Sequence, residues 1–411
     1  MNEPTAARSR RTAAKKSRSR LPLPLLPLKP LLRLLRRGSL TMTLPNGREV
    51  EWQGAEPGPQ ASLKIHRWSA IARVAMRGDV GMGEAYAAGA WDSPDPSAVL
   101  TLFAVNSTHD GDPFEAPAWV KPLFDAAEWT RRNTRRQAKR NIEAHYDLGN
   151  DFYALWLDPS MTYSSALFCD GANSLEVGQH QKYRAIAERA GIRPGDSVLE
   201  IGCGWGGFSL YAAEKLGCQV TALTLSPSQA RYVRELVAEK GLSEKVNVLV
   251  KDYRDEVGVY DRIVSIEMFE AVGEAYWPAF FATLRRCLRP GGAAGLQIIT
   301  VRDDFFERYR RGSDFIRTHI FPGGLLPPLG RLNDTAASEG LVQGGMLAFG
   351  ADYDRTLMEW RERFQATADA VAALGFDEYF QRKWLFYLDF CAAGFRSGLI
   401  DVRQIAFVRP A

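Results

Sequence analysis

Four glycines fall within six residues: Gly202, Gly204, Gly206 and Gly207. They follow a short apolar run, Val198-Leu199-Glu200-Ile201, and precede Phe208 to Lys215, which has helical spacing. A strand, a bare turn and a helix let backbone amides meet a nucleotide-like ligand closely, because glycine holds nothing off. The chemistry implied is cofactor binding. The glycines also fit G-x-G-x-x-G, the turn of dinucleotide sites, which have an acidic residue about 20 residues further on. Here the next strand, Gln219 to Leu223, ends in Thr224 instead.

The elements around this turn alternate. Strands are expected at 197–201, 219–223, 246–250, 261–266 and 293–301, and helices at 207–216, 226–240 and 274–288. Pro290-Gly291-Gly292 is read as a turn before the fifth strand. Such alternation predicts an α/β fold, a mostly parallel sheet covered on both faces. Ligands in such sheets sit at the carboxyl ends of the strands, where Gly202, Thr224, Asp252 and Glu267 fall. Beyond Val301, residues 302–340 read as an inserted helical cap, 357–373 and 379–395 as helices, and 402–408 as a last strand.

The 411 residues are 46% hydrophobic and 24% charged, enough for two domains and a large core. Five widely spaced cysteines show no metal-ligand pattern and suggest reduced thiols in a cytoplasmic protein. Residues 1–37 hold eleven Lys/Arg against the single acid Glu3, so they carry +10 and the rest carries +4 − 10 = −6. That asymmetry suggests attraction to an anionic surface. Residues 21–35 are apolar but broken by Pro22, Pro24, Pro27 and Pro30, too short and interrupted to span a membrane. Residues 21–37, apolar with interspersed basic residues, read as an amphipathic interfacial segment. The expected divisions are a basic, partly disordered arm at 1–37, a smaller amino-terminal domain at 38–120 and a linker helix at 121–143. Residues 144–411 form the domain that carries the glycine turn. Pro45-Asn46-Gly47 in the smaller domain marks a hairpin, and Arg131 to Arg140 in the linker form a second basic patch.

Glu200 stands two residues before the first glycine, as in the E-x-G-x-G of methyltransferases that bind S-adenosylmethionine. The stretches AHYDLGNDFYALWLDPSMTYSSALF (144–168), VLEIGCGWGGF (198–208), TALTLSPSQ (221–229), KDYRD (251–255), SIEMFEAVG (265–273), FIRTHIFPGG (315–324), FGADYDRTLMEW (349–360) and FYLDFCAAGFRSGLI (386–400) follow in order. On these the chain resembles the cyclopropane-fatty-acyl-phospholipid synthase family, which includes the mycolic acid cyclopropane synthases. The resemblance implies a Rossmann-like class I methyltransferase fold in 144–411 and an amino-terminal domain that contacts lipid. It also implies S-adenosylmethionine as cofactor. Tyr163 and Ser164 would meet its methionine end, and Gly202, Cys203 and Gly204 would pass beneath the amino-acid moiety. Thr224, Leu225 and Gln229 would lie near the ribose, and Asp252, Tyr253 and Ile266 near the adenine. Thr224 is also a helix-capping type and Asp252 a turn former. His145 and Tyr146 would close over the cofactor or serve structure.

The implied reaction is methyl transfer to an alkene carbon of an acyl chain, which leaves a carbocation on the neighbouring carbon. An aromatic face stabilises such a charge, and Tyr163, Phe269 and Tyr353 are candidates for it or for plain packing. A base must then take a proton. The resemblance implies bicarbonate in that role, held by Glu270, the Ile299 backbone and Tyr353, with Ser165 and Gln297 where the family has cysteine and histidine. Glu267 stands where many cyclopropane synthases have glycine; on a helix it would share a face with Glu270. A second carboxylate would repel bicarbonate or become the base itself, so a ring and a methyl- or methylene-branched product both stay open. Cys391 matches a cysteine regarded as catalytic in the family, or it is core.

The partners expected are a membrane phospholipid with an unsaturated acyl chain and an anionic membrane surface, at the inner face of the membrane. Nucleic acid is not expected, because the basic tail lacks interleaved aromatics. A homodimer and a separate reductase for a methylene product are left open. A methyltransferase of a soluble small molecule and a non-catalytic lipid binder are the competing functions.

Overall fold

The structure, a computed structural model, describes residues 22–107 and 148–411. His145, Tyr146, the 131–140 basic patch and the first 21 residues lie outside the described residues. The chain enters through a 3-10 helix, Leu23–Leu28, and α1 (Lys29–Leu34). β1 (Arg37–Thr43) and β2 (Glu49–Gln53) then form the hairpin expected around Asn46-Gly47. β3 (Glu56–Ile65) pairs parallel with β1, and the short β4 (Trp91–Asp92) closes the order β2-β1-β3-β4. Two helices cover this sheet, α2 (Ser69–Ala87) and α3 (Pro96–Ala104).

One expectation is corrected here. Leu25, Leu28, Leu32 and Leu35 are buried in the hydrophobic core of the amino-terminal domain. The apolar face of residues 22–35 is therefore spent on packing, leaving Leu23 and Leu26 exposed. This stretch belongs to the folded domain and not to a free interfacial arm, because burying four leucines stabilises more than leaving them in water.

The larger domain runs α4 (Asn150–Ala154), α5 (Leu175–Ala190), β5 (Ser197–Ile201), α6 (Gly207–Lys215), β6 (Gln219–Thr224), α7 (Pro227–Glu239), β7 (Val246–Val250), β8 (Tyr260–Ile266), α8 (Trp277–Cys287) and β9 (Leu288–Val301). The cap follows as α9 (Asp303–Tyr309), α10 (Phe315–His319) and α11 (Leu329–Ser338). β10 (Val342–Ala348), α12 (Gly350–Ala366), α13 (Ala368–Ala373), α14 (Glu378–Arg396) and β11 (Ile400–Val408) complete it. The seven strands lie in the order β10-β11-β9-β8-β5-β6-β7; β11 runs antiparallel to both its neighbours and the other pairs are parallel.

Two departures have local causes. Pro290-Gly291-Gly292 does not precede the fifth strand but bulges within it: Tyr260 pairs with Leu288 and Arg262 already with Ala293, so extra residues are absorbed at Gly291, φ +75°. The helix expected at 357–373 begins earlier, at Gly350, and breaks at Thr367 between α12 and α13.

Helix α14 joins the two domains. It packs on α12 within its own domain and on α2 and α3 of the other. Its own Trp384 is fully buried, as are Trp156 and Trp360. Gly83 of α2 faces this seam; a Cβ there would stand 2.3 Å from the Phe315 ring and 2.7 Å from Phe386. The amino-terminal domain is thus fastened to the cap and to α14 by close aromatic packing.

Candidate active site

β5, β6, β7 and β8 end side by side, and the residues that follow them form one end of a single cavity of about 550 Å³. After Ile201 the chain turns through Gly202 at φ +83°, where a Cβ would lie 2.8 Å from Met268 Cγ. The amides of Gly202 and Cys203 donate to the Leu223 carbonyl at 3.0 and 2.9 Å, which ties the turn to β6. Glu200 is buried behind it, accepts from Ser209 Oγ, and is pushed up to about 7 by burial. Thr224 Oγ1 donates to Gln229 Oε1 at 2.9 Å, while Ser226 caps α7, so Thr224 is not the helix cap. Gln229 Nε2 is buried with no hydrogen-bond partner among the described residues. Asp252 caps the short 3-10 turn Tyr253–Asp255 and accepts from Arg254 Nε at 2.8 Å and Nη2 at 2.5 Å. It therefore forms the turn as well as offering acceptors to a ligand.

The glycine cradle and the buried, unpartnered Gln229 amide fit S-adenosylmethionine, which has a backbone-hugging amino-acid end and polar ribose hydroxyls. Tyr163, Ser164, Cys203, Gly204, Leu225, Tyr253 and Ile266 line the same cavity. Ser164 Oγ accepts from Lys182 Nζ at 2.7 Å, and Tyr163 shares a hydrogen bond with Tyr387 at 2.7 Å.

The other end holds the two carboxylates. Glu267 follows β8 in the left-handed region, φ +49°, a conformation that glycine adopts freely and that strains other residues by about 1–3 kcal/mol. Glu270 sits on the next 3-10 turn, Phe269–Ala271, so a strained residue and a tight turn, not a helical face, bring the two together. Glu267 Oε1 accepts from the Ser165 amide at 2.9 Å and from Gln297 Nε2 at 2.7 Å. Its Oε2 accepts from Tyr353 Oη at 2.6 Å. Glu270 Oε1 accepts from the Ile299 amide at 2.6 Å, while Oε2 is buried with no partner among the described residues. Burial pushes both carboxyls up, and the Glu267 charge raises Glu270 further, to about 8. At neutral pH Glu270 is the protonated member of the pair. Burial, then the Glu267 charge, holds the Tyr353 hydroxyl well above its ordinary value, so it stays a donor.

Glu267, Glu270, Ile299, Tyr353 and Cys391 all line the cavity, whereas Ser165 and Gln297 stand one layer behind it, holding Glu267. Two candidates carry a packing alternative. Phe269 lies in the core, stacked on Trp277 at 5.7 Å between ring centres, and does not line the cavity. Cys391 does line it, and burial with the nearby Asp314 and Glu267 raises its thiol far above the usual range, which favours the thiol over the thiolate. Sequence reasoning passed over Lys182, fully buried on α5 and pulled down to about 7 by burial against the opposing pull of Glu267, Asp158 and Glu200. A signal existed: it shares the inward stripe of Leu175, Gln179 and Ile186, where a lysine is out of place.

An α/β sheet of this order, with a glycine turn after its first strand and a ligand cavity over its carboxyl edge, defines a class I S-adenosylmethionine-dependent methyltransferase. The family model of mycolic acid cyclopropane synthetase matches residues 133–405. The chain belongs to that family, and it is a methyltransferase. It is 40% identical over 392 residues to tuberculostearic acid methyltransferase UfaA1 of Mycobacterium tuberculosis, covering 92% of this chain and 90% of that protein. To the cyclopropane-fatty-acyl-phospholipid synthase of Escherichia coli K12 it is 34% identical over 351 residues, covering 85% and 88%. The solved structure of mycolic acid cyclopropane synthase CmaA1 complexed with SAH and CTAB superposes with a TM-score of 0.62 at 35% identity, covering 66% of this chain and 98% of that one.

Replacing Gly202 by Val places a β-branched side chain at positive φ and against Met268. The variant is expected to melt cooperatively yet show no S-adenosylmethionine binding by calorimetry; wild-type affinity in the folded variant would remove the cradle from the cofactor site. Glu270 supplies a pH test. Its folded value of about 8 exceeds the ordinary 4.5, so between these the folded state keeps a proton that the unfolded chain has lost. Stability from this group is complete below 4.5 and is lost as pH rises through about 8. The melting temperature of Glu270→Gln, which cannot ionise, should gain on wild type from pH 5 to about 8 and keep a constant lead above; a pH-independent difference would place Glu270 in an ordinary carboxylate setting.

Proposed function

We propose that this protein methylates the double bond of an unsaturated acyl chain in a membrane phospholipid and that Glu267 then accepts the proton, giving a methylene-branched chain. One observation carries the proposal: the Glu267 carboxylate is held by Tyr353 Oη, Gln297 Nε2 and the Ser165 amide. Three of the five positions that the resemblance assigns to bicarbonate thus already bind a carboxylate of the chain itself. A fixed anion there leaves neither charge complementarity nor vacant donors for a second one.

When bound, S-adenosylmethionine supplies the electrophilic methyl group. The alkene π electrons form the new carbon–carbon bond, and the neighbouring chain carbon becomes cationic. Tyr163 and Tyr353 line the cavity and can face that charge, and the Glu267 carboxylate offsets it. Of about four lone-pair positions on Glu267, three already accept hydrogen bonds, which makes it a restrained base. A hydride shift from the methylated carbon then has time to move the charge next to the new methyl group. Loss of a methyl proton to Glu267 leaves a carbon–carbon double bond to that carbon instead of closing a ring. Protonated Glu270, bonded to the Ile299 amide, adds no second negative charge to compete for the cation. The greater identity to a tuberculostearic acid methyltransferase than to a cyclopropane-fatty-acyl-phospholipid synthase is consistent with this product.

Glu267→Gln should lower kcat by at least about 100-fold, the usual worth of a general base. Added bicarbonate should leave wild-type turnover unchanged, and proton NMR of the product lipid should show olefinic methylene protons. Cyclopropane protons together with bicarbonate-dependent turnover would overturn the proposal.

The protein meets its substrate from the surface of an anionic bilayer, on the inner face of the membrane. No helix among the described residues is long and apolar enough to cross one. Residues 1–21 contain seven Lys/Arg, and each basic residue near such a surface adds about 1 kcal/mol of attraction. Deleting only these residues keeps the buried leucines from Leu25 onward. The truncated protein should sediment less with anionic vesicles at low salt, with kcat on detergent-dispersed lipid retained; equal sedimentation of both forms would dismiss the tail as a recruiting element.

A further inference from the structure

The catalytic cavity is not walled by the catalytic domain alone. Leu100, Ala104 and Ser107, spaced four and three residues apart on and just past α3, line it together with Glu267 and Glu270. That helix is firmly placed. Asp95 caps its start, accepting from the Ala98 amide at 3.0 Å and from Ser97 Oγ at 2.7 Å. Arg396 of α14 donates to Ser97 Oγ at 2.9 Å. At the other end Asn106 Oδ1 accepts from the amides of Arg36 and Arg37 at 2.8 and 2.9 Å. α3 therefore cannot slide without breaking contacts to both domains. The surface it offers is hydrocarbon, Leu100 and Ala104, and the catalytic domain contributes Ile299, Gly394, Leu399 and Ile400 to the same cavity. The family model begins at residue 133, so this wall comes from a part of the chain outside the matched region.

We propose that Leu100 and Ala104 are specificity-determining residues: they limit the length of hydrocarbon that fits while the double bond stands beside Glu267 and Glu270. The inference rests on the acyl-chain reading above and deepens it. An apolar wall discriminates by volume, and one methylene more or less in such a pocket changes kcat/KM by about 10-fold or more. Selection by α3 thus acts on chain length and double-bond position, independently of the cofactor half of the site.

The test uses the full-length enzyme and vesicles of phosphatidylglycerol with cis-monounsaturated chains. Carbons are varied on the methyl side of the double bond in one series and on the carboxyl side in another. Ala104→Phe should reduce kcat/KM for the longest chains of one series by about 10-fold relative to the shortest, with unchanged S-adenosylmethionine affinity. Leu100→Ala should shift the profile the opposite way. Should Leu100→Ala fail to fold, Ala104→Leu provides the graded comparison, with a shift between those of wild type and Ala104→Phe. Folded variants with the wild-type length profile, or with an equal loss at every length, would reduce α3 to a structural support and overturn the inference. A wild type inactive on every unsaturated phospholipid would instead overturn the function proposed above.

Discussion

Two carboxyl groups buried in one cavity resist being ionised together, and this end of the molecule is arranged around that constraint. Charge separation from water costs far more than a hydrogen bond returns, so a buried anion persists only where several donors converge on it. Glu267 has them in Tyr353, Gln297 and the Ser165 amide, whereas Glu270 has only backbone amides, chiefly that of Ile299, and an unpartnered second oxygen. The asymmetry decides which group carries the charge. It also explains the layer behind the cavity: Gln297 Oε1 accepts from Gln404 Nε2 at 3.0 Å, and Gln404 Nε2 also donates to the Lys182 carbonyl at 3.0 Å. The orientation of one carboxylate is thereby fixed from β9, β11 and α5 at once.

The same constraint gives the strained backbone its meaning. A glutamate at φ +49° stays in place because its carboxylate gains three hydrogen bonds, each stronger for being charge-assisted and out of water. Glycine at this position would relieve the strain and leave the three donors to an external anion. On the function proposed above, the two arrangements are alternative solutions to one electrostatic problem, a negative charge beside a developing carbocation. Lys182 belongs to this balance: a fully buried amine pulled down to about 7 and hydrogen-bonded to Ser164, it joins the cofactor half of the cavity to the carboxylate half.

The sheet and the cofactor turn were legible because their signals are local. Val198–Ile201 followed by four glycines, Ser226-Pro227 opening α7, and alternating apolar runs each declare themselves within about ten residues. Other elements were hidden for physical reasons. β3 carries Pro57 and Pro59, which argue against a strand; they sit where its register with β1 shifts from Arg37–Glu56 to Ser39–Gln60, so neither has to donate to the ladder. β10, with Gly344 and Gly345 and an exposed edge face, has no apolar alternation to read. The resemblance named the members of the carboxylate site, but not that Glu267 would face Tyr353, Gln297 and Ser165, because those contacts span 86, 30 and 102 residues. Of the two roles the sequence leaves open for Phe269, packing is the one it takes: beside Glu270 on the chain, it points into a different cluster, since adjacent residues on a tight turn diverge.

The amino-terminal domain is best understood through the cavity it helps to close. A cation formed on hydrocarbon survives only where water is excluded, and the carboxyl edge of an open sheet is an exposed place to form one. The cap supplies part of the cover, and α2 and α3 supply more through Asp79, Leu100, Ala104 and Ser107. Asp79 also accepts from the Phe315 amide of the cap at 3.1 Å, so cap and amino-terminal domain brace each other where both meet the cavity. Gly83 lets α2 approach Phe315 and Phe386 closely enough to make that seam. The domain that packs residues 22–35 into its core thus also encloses the reaction, and substrate access and water exclusion become properties of one interface.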